Sequence, residues 1–225
     1  MAPNPNPRAQ AARQSTPSEL AAARALLEID AVLVRPQEPF THTSGRQAPV
    51  YVDCRRLIAF PAARNAVMDL AQAQLSGLVG EIDLIAGGET AGIPFAAFLA
   101  ERLGLPMAYV RKQPKGFGRL ARIEGALEPG QRVLLVEDLA SDAGSKRLFV
   151  GALREAGASV AHIWVLFFYG IYPIADARFC ELEVALHALT RWEAVYEVLA
   201  QEQRLDADSL RRLRAYLDAP EDWTP

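Results

Sequence analysis

The apolar positions of this chain follow two different spacings in turn, and this alternation predicts strands followed by helices. Four short apolar runs are typical of buried strands. They lie at residues 82–86, 107–110, 133–136 and 160–168. Helical spacing predicts helices at residues 62–78 and 93–103, and from the region after residue 145 to residue 156. This order predicts an α/β fold with a parallel sheet that is covered on both faces.

The first thirty residues divide into two parts. Residues 1–15 are mostly Ala, Pro, Asn, Gln and Arg without periodicity, and this composition predicts a disordered tail. Thr16 and Pro17 with Glu19 then form a helix-start signal, in which the threonine caps the helix and the glutamate reaches back to it. The sequence therefore predicts that the ordered domain begins at Thr16 with a helix that runs to about residue 29.

A small subdomain is predicted next. Apolar runs at 32–34 and 50–52 flank the polar segment 43–46, which is the pattern of a hairpin. Helical patterns return near the end, at about 191–201 and 208–217. The predicted organisation is a tail at 1–15 and a single domain at 16–225, divided into a hood at 31–60, a core at 61–170 and a C-terminal helical extension at 171–225.

The composition of the chain limits the kinds of protein that it can be. The chain has 225 residues, of which 51% are hydrophobic, and this suits one globular domain. A net charge of -3 argues against a nucleic-acid partner, and the longest apolar run, interrupted by His162, is too short to span a membrane. Cys54 and Cys180 lie far apart and no signal peptide is evident, so we expect free thiols and a cytoplasmic protein. The three histidines have no metal-ligand spacing.

The chemistry concentrates at residues 132–145. The predicted strand at 133–136 is followed by Glu137 and Asp138, and then by small or hydroxylic residues at 140–145. A strand, a small-residue loop and a helix together form a geometry that binds phosphate. Two carboxylates at the end of a strand suit a ribose diol or a ligand-bound Mg²⁺. An ordinary βα turn is the alternative. The next helix is predicted to bury the face formed by Leu148, Ala152 and Leu153.

Two further loops leave predicted strands at the same edge of the sheet, where ligands of such sheets bind. The segment 87–92, Gly-Gly-Glu-Thr-Ala-Gly, repeats the arrangement of strand, glycine-rich loop and helix, although it also suits a tight connection. The segment 111–119 places four cations around Gly-Phe-Gly. It suits a solvated face, or a mobile lid that neutralises a polyphosphate.

Together these segments resemble the orotate phosphoribosyltransferase family of type I phosphoribosyltransferases, over roughly residues 20–168. The matching motifs are Ser-Gly-Arg at 44–46 with Tyr51 and Asp53, Gly-Ile-Pro at 92–94, Arg-Lys-x-x-Lys at 111–115, and the phosphoribosyl-pyrophosphate (PRPP) loop at 137–145. The chain departs from the family pattern at Asp142, where a threonine is usual, and at Ala143, where a glycine is usual. Family lysines are replaced by Thr43 and Ala91, and an arginine usual after the last strand has no counterpart near 168–170.

The resemblance implies the type I phosphoribosyltransferase fold and transfer of the 5-phosphoribosyl group from PRPP to orotate. The products would be orotidine 5′-phosphate and pyrophosphate, in pyrimidine biosynthesis. It also implies Mg²⁺ bound mainly through PRPP, and a homodimer with shared active sites. Two alternatives stay open: a phosphoribosyltransferase for another base, and a regulatory protein that keeps the fold and binds PRPP.

The resemblance also implies roles for particular residues. Lys115 would stabilise the leaving pyrophosphate from a lid at 112–124, and Glu137 and Asp138 would hold the ribose hydroxyls. The glycines, like charges and low apolar content of this lid predict that it is poorly ordered without ligand. Substrate contacts are implied for Ser44, Arg46, Tyr51, Gly88, Glu89, Thr90, Arg111, Lys112, Ser141, Asp142, Ala143, Gly144 and Ser145.

Overall fold

A six-stranded sheet forms the centre of the molecule, which we describe from a computed structural model over residues 14–41, 45, 47–114 and 122–224. In spatial order the strands are β10 (Ala185–Arg191), β9 (Ser159–Phe168), β8 (Arg132–Ala140), β5 (Leu84–Gly88), β6 (Met107–Val110) and β7 (Ile123–Glu124). The first five are parallel, and β7 pairs antiparallel with β6. The carboxyl ends of five strands therefore meet at one edge, as the sequence predicts.

Four shorter strands precede this sheet and form two antiparallel pairs. They are β1 (Val32–Val34) with β4 (Val50–Val52), and β2 (Phe40–Thr41) with β3 (Gln47–Ala48). The strands predicted at 32–34 and 50–52 are both present. A 3₁₀ helix, Cys54–Ala59, follows, and the Asp53 carboxylate accepts a hydrogen bond from the Arg55 amide at 3.3 Å.

Helices cover both faces of the sheet, because successive strand residues point to opposite sides. They are α1 (Pro17–Glu28), α2 (Pro61–Leu75), α3 (Gly92–Leu103), α4 (Gly144–Glu155), α5 (Pro173–Glu181), α6 (Trp192–Gln201) and α7 (Ala207–Asp218). Leu134 and Trp164 pack in a core with α1, α2, α3, α6 and α7. Leu135 and Ile163 pack in a second core with α4 and α5.

The first helix is bound to the far end of the chain. The Thr16 hydroxyl caps α1 by accepting from the Glu19 amide at 3.2 Å, and the Glu19 carboxylate accepts from the Thr16 amide at 2.8 Å, as predicted. Glu19 is buried, and its carboxylate lies 3.2 Å from the Arg191 guanidinium of β10. Its carbonyl accepts a hydrogen bond from the Thr190 hydroxyl at 2.9 Å. These contacts attach α1 to the edge of the sheet.

The predicted disordered tail, residues 1–15, includes a residue that makes tertiary contacts in the structure. The Ser15 amide and hydroxyl both donate to a carboxylate oxygen of Glu197 in α6, at 3.1 and 2.7 Å. Residues 1–13 lie outside the described residues. The ordered chain therefore begins before Thr16, because a polar residue ahead of the helix finds a partner that is distant in sequence.

Three predicted boundaries are wrong for reasons of tertiary pairing. The strand predicted at 133–136 continues to Ala140, because β9 offers partners as far as Phe168. The helix predicted to reach residue 78 ends at Leu75 and passes into a 3₁₀ turn, Ser76–Glu81. The extension at 171–225 is not wholly helical, since β10 adds a sixth strand to the sheet.

Candidate active site

The continuation of β8 separates the two acids that the sequence places side by side. Adjacent residues of a strand point to opposite faces, so Glu137 and Asp138 have different surroundings. Glu137 lies on the side of α4 and is only 6% exposed, with its Oε2 3.1 Å from the Lys146 ammonium. Lys146 also donates to the Leu139 carbonyl. Burial raises the pKa of Glu137, and the charge of Lys146 opposes this rise.

Asp138 acts electrostatically on Cys54 and Arg55 of the 3₁₀ helix and remains partly accessible. Burial raises its pKa, and the charges of Lys146 and Arg55 oppose the rise. Burial also raises the pKa of the Cys54 thiol, and the charge of Asp138 adds to that effect. Of the two acids, Asp138 is therefore the one that can meet a ligand from solvent.

The loop after β5 packs directly against Glu137. A Cβ built on Gly88 would overlap the Glu137 Oε1 atom, and one built on Gly92 would lie 2.8 Å from the same oxygen. This oxygen has no hydrogen-bond partner within the part of the chain that the structure describes. Only glycine fits at these two positions, because a side chain would displace the buried carboxylate and, at Gly92, would also overlap the Val136 carbonyl oxygen.

The same loop contacts the beginning of the predicted lid. The Glu89 carboxylate accepts a hydrogen bond from the Lys112 amide at 2.7 Å, and Thr90 is exposed beside it. The Arg111 amide donates to the Arg122 carbonyl at 2.8 Å, and its guanidinium lies 3.5 Å from the Glu124 carboxylate. Lys115 and the rest of the lid at 115–121 lie outside the described residues.

The hood approaches the site through the 3₁₀ helix. The Arg55 guanidinium forms an ion pair with Asp53 at 2.6 Å, and the pKa of Arg55 is raised by Asp53 first and also by Tyr51 and Asp138. Tyr51 is 37% exposed, with its ring centroid 5.7 Å from that of Phe40. Tyr51 and Asp138 thus share a neighbour. Ser44 and Arg46, which the sequence assigns to the same site, lie outside the described residues.

The loop after β8 turns sharply into α4. Ala143 is buried and has the left-handed φ of 64°, a conformation that glycine adopts more readily. The Asp142 carboxylate accepts a hydrogen bond from the Gly144 amide at 3.2 Å, while Ser145 accepts one from Lys146 at 3.2 Å. Arg178 of α5 donates to the Asp142 carbonyl at 2.9 Å and also to its carboxylate. The predicted phosphate loop, with Ser141 at its start, is therefore compact and cross-linked.

Sequence reasoning missed Lys146 and Arg178. A signal for Lys146 exists, because it lies on the helical stripe of Phe149, Val150 and Leu153, all of which are buried. The predicted stripe was displaced: Leu148, assigned to the buried face, is 53% exposed. No local pattern indicates Arg178, because its partner lies 36 residues earlier.

Known proteins match this chain over most of its length. A family model described as a phosphoribosyl transferase domain matches residues 56–184. An orotate phosphoribosyltransferase of Cereibacter sphaeroides is 54% identical over 206 residues, which are 89% of this chain and 88% of the relative. The chain belongs to the orotate phosphoribosyltransferase family. Another member, from Agrobacterium fabrum, is 50% identical over 204 residues, which are 90% of this chain and 88% of that one.

Solved structures of this family agree with the fold. The orotate phosphoribosyltransferase of Aeropyrum pernix has a TM-score of 0.69 and 31% identity, and the match covers 80% of this chain and 98% of that one. The UMP synthase of Leishmania donovani has a TM-score of 0.70 and 27% identity, over 88% of this chain and 42% of the longer protein. The type I phosphoribosyltransferase fold is confirmed. Among the described residues, no helix has the length and apolar character needed to cross a membrane.

Proposed function

We propose that this protein transfers the 5-phosphoribosyl group from PRPP to orotate and releases orotidine 5′-phosphate and pyrophosphate. The observation that carries the proposal is the 54% identity to an orotate phosphoribosyltransferase over nearly the full length of both chains. The geometry supports it, because the loops after β5 and β8 meet at the carboxyl edge of the sheet, where α/β proteins bind ligands.

The 5′-phosphate of PRPP would lie at the start of α4. There the amides of residues 141–145 and the positive end of the helix dipole attract an anion. Gly144 and Ser145 leave room for the phosphate, and Ala143 sets the direction of the turn. This end of the substrate keeps its charge throughout the reaction, so the loop serves binding and orientation.

The ribose would contact Asp138. As the bond to pyrophosphate breaks, the ring gains positive charge, and a partly buried carboxylate stabilises that charge more strongly than it would in water. We propose a different role for Glu137 from the direct ribose contact that the sequence predicts. Its carboxylate is bound by Lys146 and enclosed by Gly88 and Gly92, so it would support the loop that receives pyrophosphate.

The leaving pyrophosphate would bind the loop formed by Gly88, Glu89 and Thr90. Arg111 and Lys112 stand at the beginning of the lid, and Lys115 would complete a cationic cluster over the diphosphate. The Glu89–Lys112 hydrogen bond supports this proposal, because it joins the loop to the lid. Orotate would lie between the phosphate loop and the hood, with Tyr51, Ser44 and Arg46 as its proposed contacts.

Mg²⁺ belongs to the same proposal. Within the described residues no group of three His, Cys, Asp or Glu side chains could hold a metal ion. The family resemblance implies an ion carried mainly by the oxygens of PRPP, where it would neutralise charge on the diphosphate. We also propose a homodimer with shared active sites, from the family resemblance, and a cytoplasmic location, from the two free cysteines.

The test is a substrate panel. The protein is incubated with PRPP, Mg²⁺ and either orotate, uracil, adenine or hypoxanthine, and pyrophosphate and the nucleotide product are both measured. We expect orotidine 5′-phosphate to form fastest. Faster turnover of another base would assign a different phosphoribosyltransferase activity, and PRPP binding without turnover of any base would indicate a regulatory protein.

A further inference from the structure

An aspartate occupies the place where this fold receives an anion. The Asp142 carboxylate accepts from the Gly144 amide at 3.2 Å, and Gly144 is the first residue of α4. A carboxylate at this position suits a helix start. It nevertheless places a negative charge beside the proposed seat of the 5′-phosphate, and like charges close together oppose binding.

Arg178 lies on the other side of this carboxylate. Its Nη1 atom donates to the Asp142 carboxylate and, at 2.9 Å, to the Asp142 carbonyl. One guanidinium thus neutralises the side chain and also holds the backbone of the loop. Although burial opposes the change, the Gly144 amide and Arg178 keep the pKa of Asp142 below its ordinary value.

The exposure of this ion pair indicates that it contributes to ligand binding more than to folding stability. The Asp142 side chain is 51% exposed and that of Arg178 is 34% exposed. Ion pairs so accessible to water add little to folding stability, because solvent screens them. Because the Asp142–Arg178 pair adds little to folding stability and lies at the phosphate loop, its main effect is on the binding of an anion by that loop.

We propose that Arg178 is a positioning residue for PRPP binding, which acts by cancelling the charge of Asp142 beside the phosphate loop. The inference rests on the proposed function, since it assigns the anion to the 5′-phosphate of PRPP. The phosphate carries the same charge in the substrate and in the transition state. Arg178 therefore contributes equally to both, and its loss changes KM rather than kcat.

The experiment is a double-mutant cycle on the full chain. Arg178→Met leaves the Asp142 charge uncompensated, and we expect it to raise the KM for PRPP about tenfold while kcat stays within about twofold. The KM for orotate should not change. Adding Asp142→Asn to Arg178→Met removes the offending charge and should restore most of the lost PRPP affinity. A double variant as weak as Arg178→Met would overturn the proposal, because a purely structural role is not repaired by a second substitution.

A matched control exists at the opposite end of the same strand. Arg132 begins β8 and forms an ion pair with Asp83 at 2.7 Å, far from the phosphate loop. Arg132→Met should leave the KM for PRPP unchanged. An equal rise of KM in this control would also contradict the proposal, since it would show that the loss of an arginine far from the phosphate loop weakens binding as much.

Two further measurements keep the inference separate from the proposed function. If Arg178→Met does not fold, the single variant Asp142→Asn tests the proposal. It leaves the positive charge of Arg178 available to the phosphate, so the KM for PRPP should fall about threefold. An unchanged or raised KM would then refute the inference. If the wild type has no turnover, the proposed function fails, and calorimetric binding of ribose 5-phosphate to the same variants still tests the role of Arg178.

Discussion

At the scale of single residues, burial distinguishes two acids that are chemically alike. Glu137 is enclosed by Lys146 and two glycines, whereas Asp138 remains partly accessible on the other face of the sheet. A carboxylate enclosed inside the protein cannot contact a substrate on which charge develops. The accessible carboxylate can, and its effect grows as the ribose ring becomes cationic.

We therefore expect Asp138→Asn to lower kcat about a hundredfold. Asparagine keeps the size and much of the hydrogen bonding of the side chain, so the KM for PRPP should change by less than about threefold. Steady-state kinetics with varied PRPP measures both constants. Asp83→Asn, at the amino end of the sheet, is the control and should leave kcat unchanged. A raised KM at constant kcat in Asp138→Asn would mean that the carboxylate binds ground state and transition state equally.

The sequence located these residues better than it described their environment. An apolar run followed by two acids and small residues was sufficient to place the loop, because local spacing encodes a strand, a turn and a helix. The separation of the acids was not predictable, since it depends on how far β8 pairs with β9. Lys146 and Arg178 were missed because their partners are assembled by tertiary contacts.

At the scale of elements, the close packing of the β5 loop on β8 is the feature that brings the loops after these two strands together. Gly88 has no room for a methyl group, because Glu137 and Phe149 already fill the space. Gly151, within α4, has nothing within 4 Å of the position of a Cβ. The two glycines therefore offer a matched pair of substitutions.

Gly88→Ala should destabilise the protein by about 3 kcal/mol, because the methyl group must displace a buried carboxylate. Gly151→Ala should stabilise it by about 0.5 to 1 kcal/mol, since alanine is the better helix former. Urea unfolding followed by circular dichroism measures both free energies. If both substitutions proved neutral, the two loops would not pack as closely as described.

A pair of histidines joins the edge strand β10 to β9. The rings of His162 and His187 are joined by a 3.0 Å hydrogen bond, and Glu81 lies 3.7 Å from the other nitrogen of His162. Burial, followed by the charge of His162, lowers the pKa of His187 to about 4 from the ordinary value of 6.5. As the pH falls, His187 therefore becomes protonated in the unfolded chain at a higher pH than in the folded protein.

The folded state should lose stability as the pH falls from 6.5 towards 4, by up to about 2 kcal/mol after allowance for partial exposure. The loss should be complete only below the folded pKa. Urea unfolding at several pH values gives the slope, and His187→Gln should flatten it because a neutral amide does not titrate in this range. Identical slopes for the two proteins would exclude His187 as the source.

Element boundaries show where local patterns stop being informative. Most strands and helices of the core were predictable from apolar spacing, because their buried faces are continuous in sequence. Strand β10 was not, since its mixture of His187, Thr190 and Arg191 with apolar residues does not alternate strictly. Its pairing with β9 and the docking of α1 over it determine its structure.

At the scale of the whole molecule, the family resemblance implies a dimer in which the lid of one subunit serves the site of its partner. Lys115→Ala and Asp138→Asn should each inactivate the enzyme. When the two are refolded together, about half of the dimers should be mixed, and each mixed dimer holds one site with both functional residues. About a quarter of the wild-type activity should then return.

Two controls make this result decisive. Each variant refolded with itself should stay inactive, and mass spectrometry should confirm that mixed dimers formed. Mixed dimers without activity would show that the lysine serves its own subunit, and the proposed chemistry would stand without the shared sites.

The attachment of α1 to β10 and α6 has a consequence for how the protein is made. Glu19 and its hydrogen-bond partner Thr190 are 171 residues apart. At ribosomal rates of about 5 to 20 residues per second, the helix leaves the ribosome roughly 10 to 30 seconds before its partners exist. During this interval Ala22, Ala23 and Leu26, fully buried in the finished protein, lack the part of their native cover that β10 and α6 supply. The docking of α1 must therefore wait until β10 and α6 have been made.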